Sequence, residues 1–391
     1  MLSSIFPDTS HYSRPAVLAL ADGSVYRGYA FGASGHAVAE VVFNTSMTGY
    51  QEILTDPSYL GQIVTLTYPH IGNTGVNPDD TESKQVQAAG LIVRDIALLH
   101  SNFRATGDLD QYLQQNNIVA IAGVDTRSLT RRLRSKGTQA GCILTGDDAD
   151  KAIALAQAYS LADNQDLATQ VATTEVYEWD QGEWSLENGF LPAPTPDKHV
   201  VVVDFGVKQS ILRQLAARGC RVTVVPADSS AVAILQHRPD GVLLSNGPGN
   251  PAFCHQAIDT ARDLIDEGLP VFGICLGHQI LGHALGANSF KLPAGHHGSN
   301  HPVQELATGK VFITSQNHNY ALDADSLSAD MVCTHRSLFD RSLQGFKHKN
   351  KPVFGFQGHP EANPGPRDIA ALFDQFIHYM TSPSTASAKG Q

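Results

Sequence analysis

Cys275 is the residue in this sequence that most directly suggests chemistry. It lies in the run Gly273-Ile-Cys-Leu-Gly277, between a short apolar segment and a segment with helical spacing. Glycines on both sides allow a turn too sharp for residues with a Cβ atom, so the central side chain projects outward, as in a nucleophile elbow. The N-terminus of the following helix favours a thiolate over a thiol. The run therefore predicts a nucleophilic cysteine.

His359 and Glu361 follow a second apolar segment, in the run Val353-Phe-Gly-Phe-Gln-Gly-His-Pro-Glu361. Functional side chains of open parallel sheets collect past the carboxyl ends of the strands, and Cys275 and His359 both occupy such positions. An imidazole can act as base for a thiol, and a carboxylate can fix the tautomer and orientation of the imidazole. Taken singly, the cysteine is more often an inert core residue and His-Pro-Glu a capped turn. Together they predict a catalytic triad.

The run Ser245-Asn-Gly-Pro-Gly-Asn-Pro251 directly follows another apolar segment. Its two glycines and two prolines predict a rigid turn whose exposed N–H groups could receive an oxyanion. Without Cys275, an ordinary strand-to-helix loop would be an equally good interpretation. With Cys275, the N–H groups of Gly247 and Leu276 are the expected oxyanion hole, because the residue after a nucleophile usually supplies one donor.

Other patterns that suggest chemistry are incomplete. Asp204-Phe-Gly206 matches the magnesium motif of protein kinases, but the glycine-rich loop and the His-Arg-Asp loop of those enzymes are missing. His296, His297 and His301 lie in a Gly/Ser/Asn-rich run, where histidines more often form hydrogen bonds than bind metal. No cysteine or carboxylate pair completes a ligand set there, so we predict no metal site on this chain.

A basic segment in the first half of the chain has two open interpretations. The predicted helix from Leu129 to Lys136 and the residues just before it carry four arginines and a lysine: Arg127, Arg131, Arg132, Arg134 and Lys136. Such a run is usually a solvated face of a helix. A surface that docks a partner is the alternative.

The elements that must position these residues are clearest in the second half. From His199 onward, β-branched runs alternate with segments of helical spacing, which predicts βαβ units and a doubly wound, mostly parallel sheet over residues 199–381. Residues 15–165 predict a separate mixed α/β domain that begins with a hairpin at Asp22-Gly23. Residues 166–198 predict an irregular stretch and a proline-rich linker. The small, polar segment 382–391 predicts a disordered tail.

Composition excludes several classes of protein. The chain has 391 residues, enough for two or three domains, and a formal net charge of −11, which disfavours nucleic-acid binding. No run approaches the length of a membrane span and no targeting segment is visible. Five cysteines without paired spacing predict neither a disulfide framework nor a zinc site. These features predict a cytoplasmic protein, where a thiol stays reduced.

Taken together, the motifs resemble known families. Gly273-Ile-Cys-Leu-Gly-His-Gln279, Ser245-Asn-Gly-Pro-Gly249 and Gln357-Gly-His-Pro-Glu361 are similar to the motifs of triad-type (class I) glutamine amidotransferases. Further runs resemble the small, glutaminase subunits of carbamoyl phosphate synthetases: 44–59, 66–73, 295–302, 315–318 and 337–340. The resemblance extends from about Ala16 to Met380.

The resemblance implies hydrolysis of glutamine through a thioester on Cys275. His359 would deprotonate the thiol, protonate the departing ammonia and activate water, and Glu361 would orient His359. It also implies glutamine contacts, which fall on these positions: Ser58, Gly247, Gly249, Leu276, Gln279, Asn317, Asn319 and Tyr320. Many relatives have Gly-Phe where this chain has Asn319-Tyr320. Asn tolerates a left-handed backbone and Tyr keeps an aromatic face, so we expect the pocket to persist.

The resemblance further implies a heterodimer, able to assemble further, with a synthetase large subunit that binds ATP, magnesium and bicarbonate. This chain would carry no cofactor and would send ammonia to the partner, for carbamoyl phosphate used in arginine and pyrimidine synthesis. Two alternatives remain. The chain could serve another synthetase, which the family-specific N-terminal motifs disfavour, or it could be a catalytically silent scaffold, which the intact triad disfavours.

Overall fold

The computed structural model describes residues 14–161 and 165–381, and these form two compact units. The first comprises residues 14–161 with Pro293–His297, and the second comprises 165–292 with 298–381. The predicted tail, 382–391, lies outside the described residues. Within the described part of the chain, no helix is long and apolar enough to cross a membrane.

The first unit is built around a closed barrel of seven strands, in the order β1-β2-β8-β6-β4-β3-β9. A separate parallel pair consists of β5 and β7. The strands are β1 Pro15–Leu20, β2 Val25–Gly32, β3 His36–Asn44, β4 Gln62–Leu66, β5 His70–Ile71, β6 Gly90–Ile92, β7 Asp95–Ile96, β8 Val119–Ala122 and β9 Gln139–Thr145. The helices are α1 Tyr50–Thr55, α2 Leu109–Gln115, α3 Thr126–Lys136 and α4 Ala149–Ala158.

Local sequence explains two features of this unit. The predicted hairpin is confirmed: β1 and β2 pair in antiparallel fashion, and Gly23 adopts the left-handed φ of 85° that the turn requires. Helix α3 begins three residues before the predicted Leu129, because the Asp125 side chain accepts a hydrogen bond from the Ser128 N–H at 2.9 Å and caps the helix.

The second unit contains a ten-stranded sheet in the order β10-β14-β13-β15-β16-β21-β20-β19-β17-β18. Its strands are β10 Tyr177–Trp179, β13 Lys198–Asp204, β14 Cys220–Pro226, β15 Gly241–Leu244, β16 Val271–Ile274, β17 Ser289–Glu305, β18 Val311–Leu322, β19 Met331–Ser337, β20 Leu343–His348 and β21 Val353–Phe356. Strands β14, β13, β15, β16 and β21 are parallel, and the sheet continues antiparallel beyond β21.

Helices cover both faces of the parallel strands, so the predicted doubly wound sheet is confirmed. The helices are α5 Ala168–Val171, α6 Gln209–Ala217, α7 Ala231–Gln236, α8 His255–Asp266, α9 Leu276–Ala284 and α10 Ala371–Thr381. Strand β13 shows why its sequence is apolar throughout. Val200 and Val202 pack in the core beneath α6 and α10, whereas Val201 and Val203 pack in the core beneath α7, α8 and α9.

The segment 166–198, which was expected to be irregular, contains regular secondary structure. Strand β10 pairs with β14 at the edge of the large sheet, and β11 Gln181–Ser185 forms a hairpin with β12 Gly189–Pro192. Arg213 of α6 lies over the Phe190 ring, 4.0 Å from its centre. Only 193–197, which include two of the prolines, separate this hairpin from β13 without helix or strand.

Candidate active site

Cys275 occupies a strained turn between β16 and α9. Its φ of 53° and ψ of −104° are rare for a residue with a side chain, and its N–H donates to the Phe356 carbonyl at 2.9 Å. Backbone strain of this kind is typical of functional positions that the surrounding structure fixes. The turn thus has the geometry of the predicted elbow.

The two flanking glycines are required by space. A Cβ atom on Gly273 would lie 2.5 Å from the Gly277 carbonyl oxygen. One on Gly277 would lie well inside 3.0 Å of the Leu244 carbonyl oxygen, because α9 begins against the end of β15. Any larger residue would move the helix away from the strand and displace the thiol.

His359 and Glu361 follow β21, the strand that pairs with β16. The His359 N–H donates to the Ser315 carbonyl at 2.9 Å, which fixes the backbone. His359 Nδ1 donates to Glu361 Oε1 at 2.7 Å, and both side chains are buried. His359 Nε2 is also buried, and among the described residues the one interaction indicated for it is with the Cys275 side chain. It is therefore the nitrogen that can take a proton from Cys275.

The charges around His359 favour its protonated form. Burial alone lowers the pKa of His359, but the charge of Glu361 and, next, hydrogen bonding with Cys275 outweigh burial and raise it to about 10. Burial raises the pKa of Glu361, yet Lys208 and His359 outweigh it and lower the pKa to about 2. The Glu361 carboxylate is thus charged at neutral pH and stabilises positive charge on the His359 ring.

Lys208 is a member of this site that the sequence did not reveal. Its Nζ lies 3.0 Å from Glu361 Oε1 and donates to the Ala362 carbonyl at 2.6 Å, with both side chains almost completely buried. The Asp204 carboxylate accepts hydrogen bonds from the Gly206 and Val207 N–H groups and so shapes the turn before Lys208. Asp204-Phe-Gly206 therefore has a structural role. No spacing in the sequence links Lys208 to Glu361.

The Ser245–Asn250 loop lies against the elbow. The Gly277 N–H donates to the Ser245 carbonyl at 2.9 Å, and the Phe205 N–H donates to the Ser245 hydroxyl at 2.9 Å. Gly247 is tightly packed, since a Cβ atom there would collide with the Phe205 carbonyl oxygen. The N–H groups of Gly247 and Leu276 donate no hydrogen bond to another described residue. Both donors of the expected oxyanion hole are thus unused.

The other residues of the second unit that are expected to contact glutamine lie in the loop after β15, in α9 and in β18. The Cys275 thiol donates to the Asn317 carbonyl, with 3.5 Å between sulfur and oxygen, and Gln279 Nε2 donates to the Tyr320 carbonyl at 2.7 Å. Gly249 adopts a left-handed φ of 99°. Asn319 lies in β18 and is not among the residues with positive φ, so its replacement of glycine requires no left-handed backbone.

Ser58 and Gln357 lie in different units of the chain. Ser58 belongs to the first unit, in the short turn Pro57–Tyr59, where its N–H donates to the Asp56 side chain at 2.9 Å. Its contact with glutamine stays a prediction. Gln357, which the sequence analysis did not select, places Nε2 3.9 Å from the Cys275 sulfur and accepts from Gln279 at 3.0 Å.

No metal-binding constellation of three or more His, Cys, Asp or Glu side chains occurs in residues 14–161 and 165–381. The side chains of Cys275, His359 and Glu361 are of the types that acyl transfer by a thiol uses. A thiolate can attack a carbonyl, two N–H groups can receive the developing oxyanion, and an imidazolium can protonate the leaving group.

Each half of the chain matches the model of a known protein family. Residues 18–143 match the model of the carbamoyl-phosphate synthase small chain, CPSase domain, and residues 201–379 match glutamine amidotransferase class-I. A carbamoyl phosphate synthase small chain of Neisseria meningitidis serogroup A is 58% identical over 376 residues, covering 96% of this chain and 100% of that protein.

Relatives from other bacteria are similarly close. Proteins of the same name from Ralstonia nicotianae and Pseudomonas aeruginosa are 58% and 57% identical, each over 94% of this chain and at least 97% of their own length. The chain belongs to the carbamoyl phosphate synthase small chain family. Its second unit is a class-I glutamine amidotransferase domain, and the elbow, triad and Gly-Pro-Gly loop all lie within that domain.

Proposed function

We propose that this chain hydrolyses glutamine on Cys275 and supplies the ammonia to a carbamoyl phosphate synthetase large chain. The observation that carries the proposal is the buried Cys275–His359–Glu361 arrangement in a chain of the small-chain family. In the first step, His359 takes the thiol proton and the thiolate attacks the side-chain carbonyl carbon of glutamine. The N–H groups of Gly247 and Leu276 receive the oxyanion.

The tetrahedral intermediate then collapses. His359 donates its proton to the nitrogen, the carbon–nitrogen bond breaks, and ammonia leaves a γ-glutamyl thioester on Cys275. In the second half, His359 accepts a proton from water, and the hydroxide attacks the thioester. The carbon–sulfur bond breaks to release glutamate, and the thiolate is restored beside the imidazolium. Glu361 keeps Nδ1 protonated throughout, so that Nε2 exchanges the proton.

We assign the remaining glutamine contacts of the second unit to Gly249, Gln279, Asn317, Asn319 and Tyr320, and the contact of Ser58 stays an implication of the family resemblance. Gln279 and Asn317 already form hydrogen bonds beside the thiol, which supports a place for the substrate at this point. The carboxamide of glutamine can both donate and accept hydrogen bonds, so its site must offer acceptors and donors. Backbone groups of the loop after β15, and backbone and amide groups of α9 and β18, supply both.

The partner and the cellular setting are part of the same proposal. The large chain would bind ATP, magnesium and bicarbonate, this chain would need no cofactor, and the pair would form a heterodimer able to assemble further. A reducing cytoplasm suits the chemistry, since all five cysteines are free thiols and Cys275 must stay reduced. The carbamoyl phosphate would enter arginine and pyrimidine synthesis.

The test is the formation of carbamoyl phosphate from glutamine, ATP and bicarbonate by this chain mixed with a bacterial synthetase large chain. Synthesis should depend on this chain, and Cys275→Ser should abolish it while synthesis from added ammonia continues. Glutamine hydrolysis without carbamoyl phosphate would favour another synthetase as the partner. Failure of Cys275 to react with a glutamine-like chloroketone would favour a silent scaffold.

A further inference from the structure

Three arginines of α3 form a basic face on the first unit. Arg127, Arg131 and Arg134, here called the arginine stripe, are all exposed. Their spacing of four and then three residues places them on one side of the helix. Leu129 and Leu133 of the same helix are completely buried in the barrel core, so the direction that the stripe faces is fixed by packing.

The stripe differs from the other basic residues of its helix. Arg132 and Lys136 both contact Asp22 Oδ2, at 3.3 and 3.7 Å. In the part of the chain that the structure describes, none of the three stripe arginines forms an ion pair. Carboxylates are not scarce, because the chain has 38 acidic residues and 27 basic ones. The stripe is therefore a local concentration of positive charge on a chain whose net charge is negative.

Helix stability does not account for the stripe. Arg127 lies in the first turn, near the positive end of the helix dipole, where a cation is unfavourable and where Asp125, the capping residue, supplies a negative charge. Arg131 lies one turn from both Arg127 and Arg134, and like charges at this spacing repel. Only Arg134, in the last turn, is favoured by the dipole. Mutual repulsion along the stripe is therefore a cost that the stability of the helix alone does not explain.

We propose that the arginine stripe is the electrostatic docking surface of this chain for an acidic face of the synthetase large chain, an inference that rests on the proposed function. A chain with a net charge of −11 repels acidic surfaces at long range, so a local basic patch must supply the attraction. Arginine suits this task, because its planar fork binds carboxylates with two parallel hydrogen bonds. Such complementarity chiefly raises the association rate and fixes the docking orientation.

Binding of this chain to an immobilised bacterial synthetase large chain, followed in real time at several salt concentrations, tests the proposal. The variant is Arg127→Gln/Arg131→Gln/Arg134→Gln. The control, Arg132→Gln/Lys136→Gln, removes two charges from the same helix that already have a partner. At low salt the triple variant should associate roughly 10 to 100 times more slowly than the unaltered chain. Added salt should slow the association of the unaltered chain but not that of the triple variant, and the control should stay within about twofold of the unaltered chain.

The outcomes separate this proposal from the proposed function. If the unaltered chain neither binds the large chain nor supports carbamoyl phosphate synthesis, both fall. If it does both and the triple variant binds at the same rate, with the same salt dependence, the stripe has no docking role. Glutamine hydrolysis and the far-ultraviolet circular dichroism of the isolated variants should be unchanged, which verifies that both units are folded. The single change Arg127→Gln alters an exposed side chain, so it should change the melting temperature little and still slow association.

Discussion

Replacing Lys208 by Met is the sharpest test of how the triad is fixed. Lys208 and Glu361 form a buried ion pair at 3.0 Å, and the same ammonium group contacts the Ala362 carbonyl. Met has a similar length and no charge, so the substitution removes the charge with little change in volume. Glu361 would then lose one of the two cationic partners of its buried carboxylate.

The expected loss follows from the burial of the pair. Removal of one partner from a buried ion pair lowers the free energy of unfolding by about 3–5 kcal/mol. With a denaturant slope of about 2–3 kcal/mol/M, the midpoint in urea should fall by about 1–2 M. The kcat for glutamine hydrolysis should fall by at least about tenfold, which is roughly 1.4 kcal/mol of transition-state stabilisation, because a mobile Glu361 no longer orients His359.

Urea unfolding and steady-state glutamine hydrolysis measure the two effects. Lys351→Met is the matched control, because Lys351 pairs with Asp266 at 2.9 Å on the exposed surface and should cost at most about 1 kcal/mol. The double change Lys208→Met/Glu361→Gln removes both charges, so it should be more stable than Lys208→Met alone. If Lys208→Met matched the Lys351 control, or if the double change simply summed the single losses, the proposed electrostatic coupling would be refuted.

Three further predictions concern the elbow and the triad. Gly277→Ala should abolish glutamine hydrolysis because its Cβ collides with a strand carbonyl, whereas Gly107→Ala, whose Cβ comes no closer than 3.5 Å to a neighbour, should leave it intact in the same assay. The lowered pKa of Glu361 gives stability that is complete above about 4.5 and is lost as pH falls toward about 2, so the advantage over Glu361→Gln in urea unfolding should shrink across that range; a constant difference would contradict it. Glu361→Gln should lower kcat less than His359→Asn, and equal losses would contradict the role of Glu361 as the orienting group.

Much of the fold could be predicted because its signals are local. The alternation of β-branched runs and helical spacing from His199 onward indicated a doubly wound sheet, since strands buried on both faces cannot alternate polar and apolar residues. The Asp22-Gly23 pair indicated the first hairpin, because Asp-Gly favours the tight turn that joins two antiparallel strands. The closure of the first unit into a barrel was not predictable, because it depends on pairing between distant strands such as β1 and β9.

The sequence alone determined which residues could react. Cys275 between two glycines, His359 and Glu361 after a second strand, and the Gly-Pro-Gly run are recognisable from residue type and spacing. Tertiary structure decided what surrounds them. Lys208 precedes Glu361 by 153 positions and reaches it only because β13 and β21 lie in the same sheet, with their carboxyl ends at one edge. Burial then sets the protonation of His359 and Glu361, because the strength of a charge interaction depends on distance and on the exclusion of water, neither of which a sequence records.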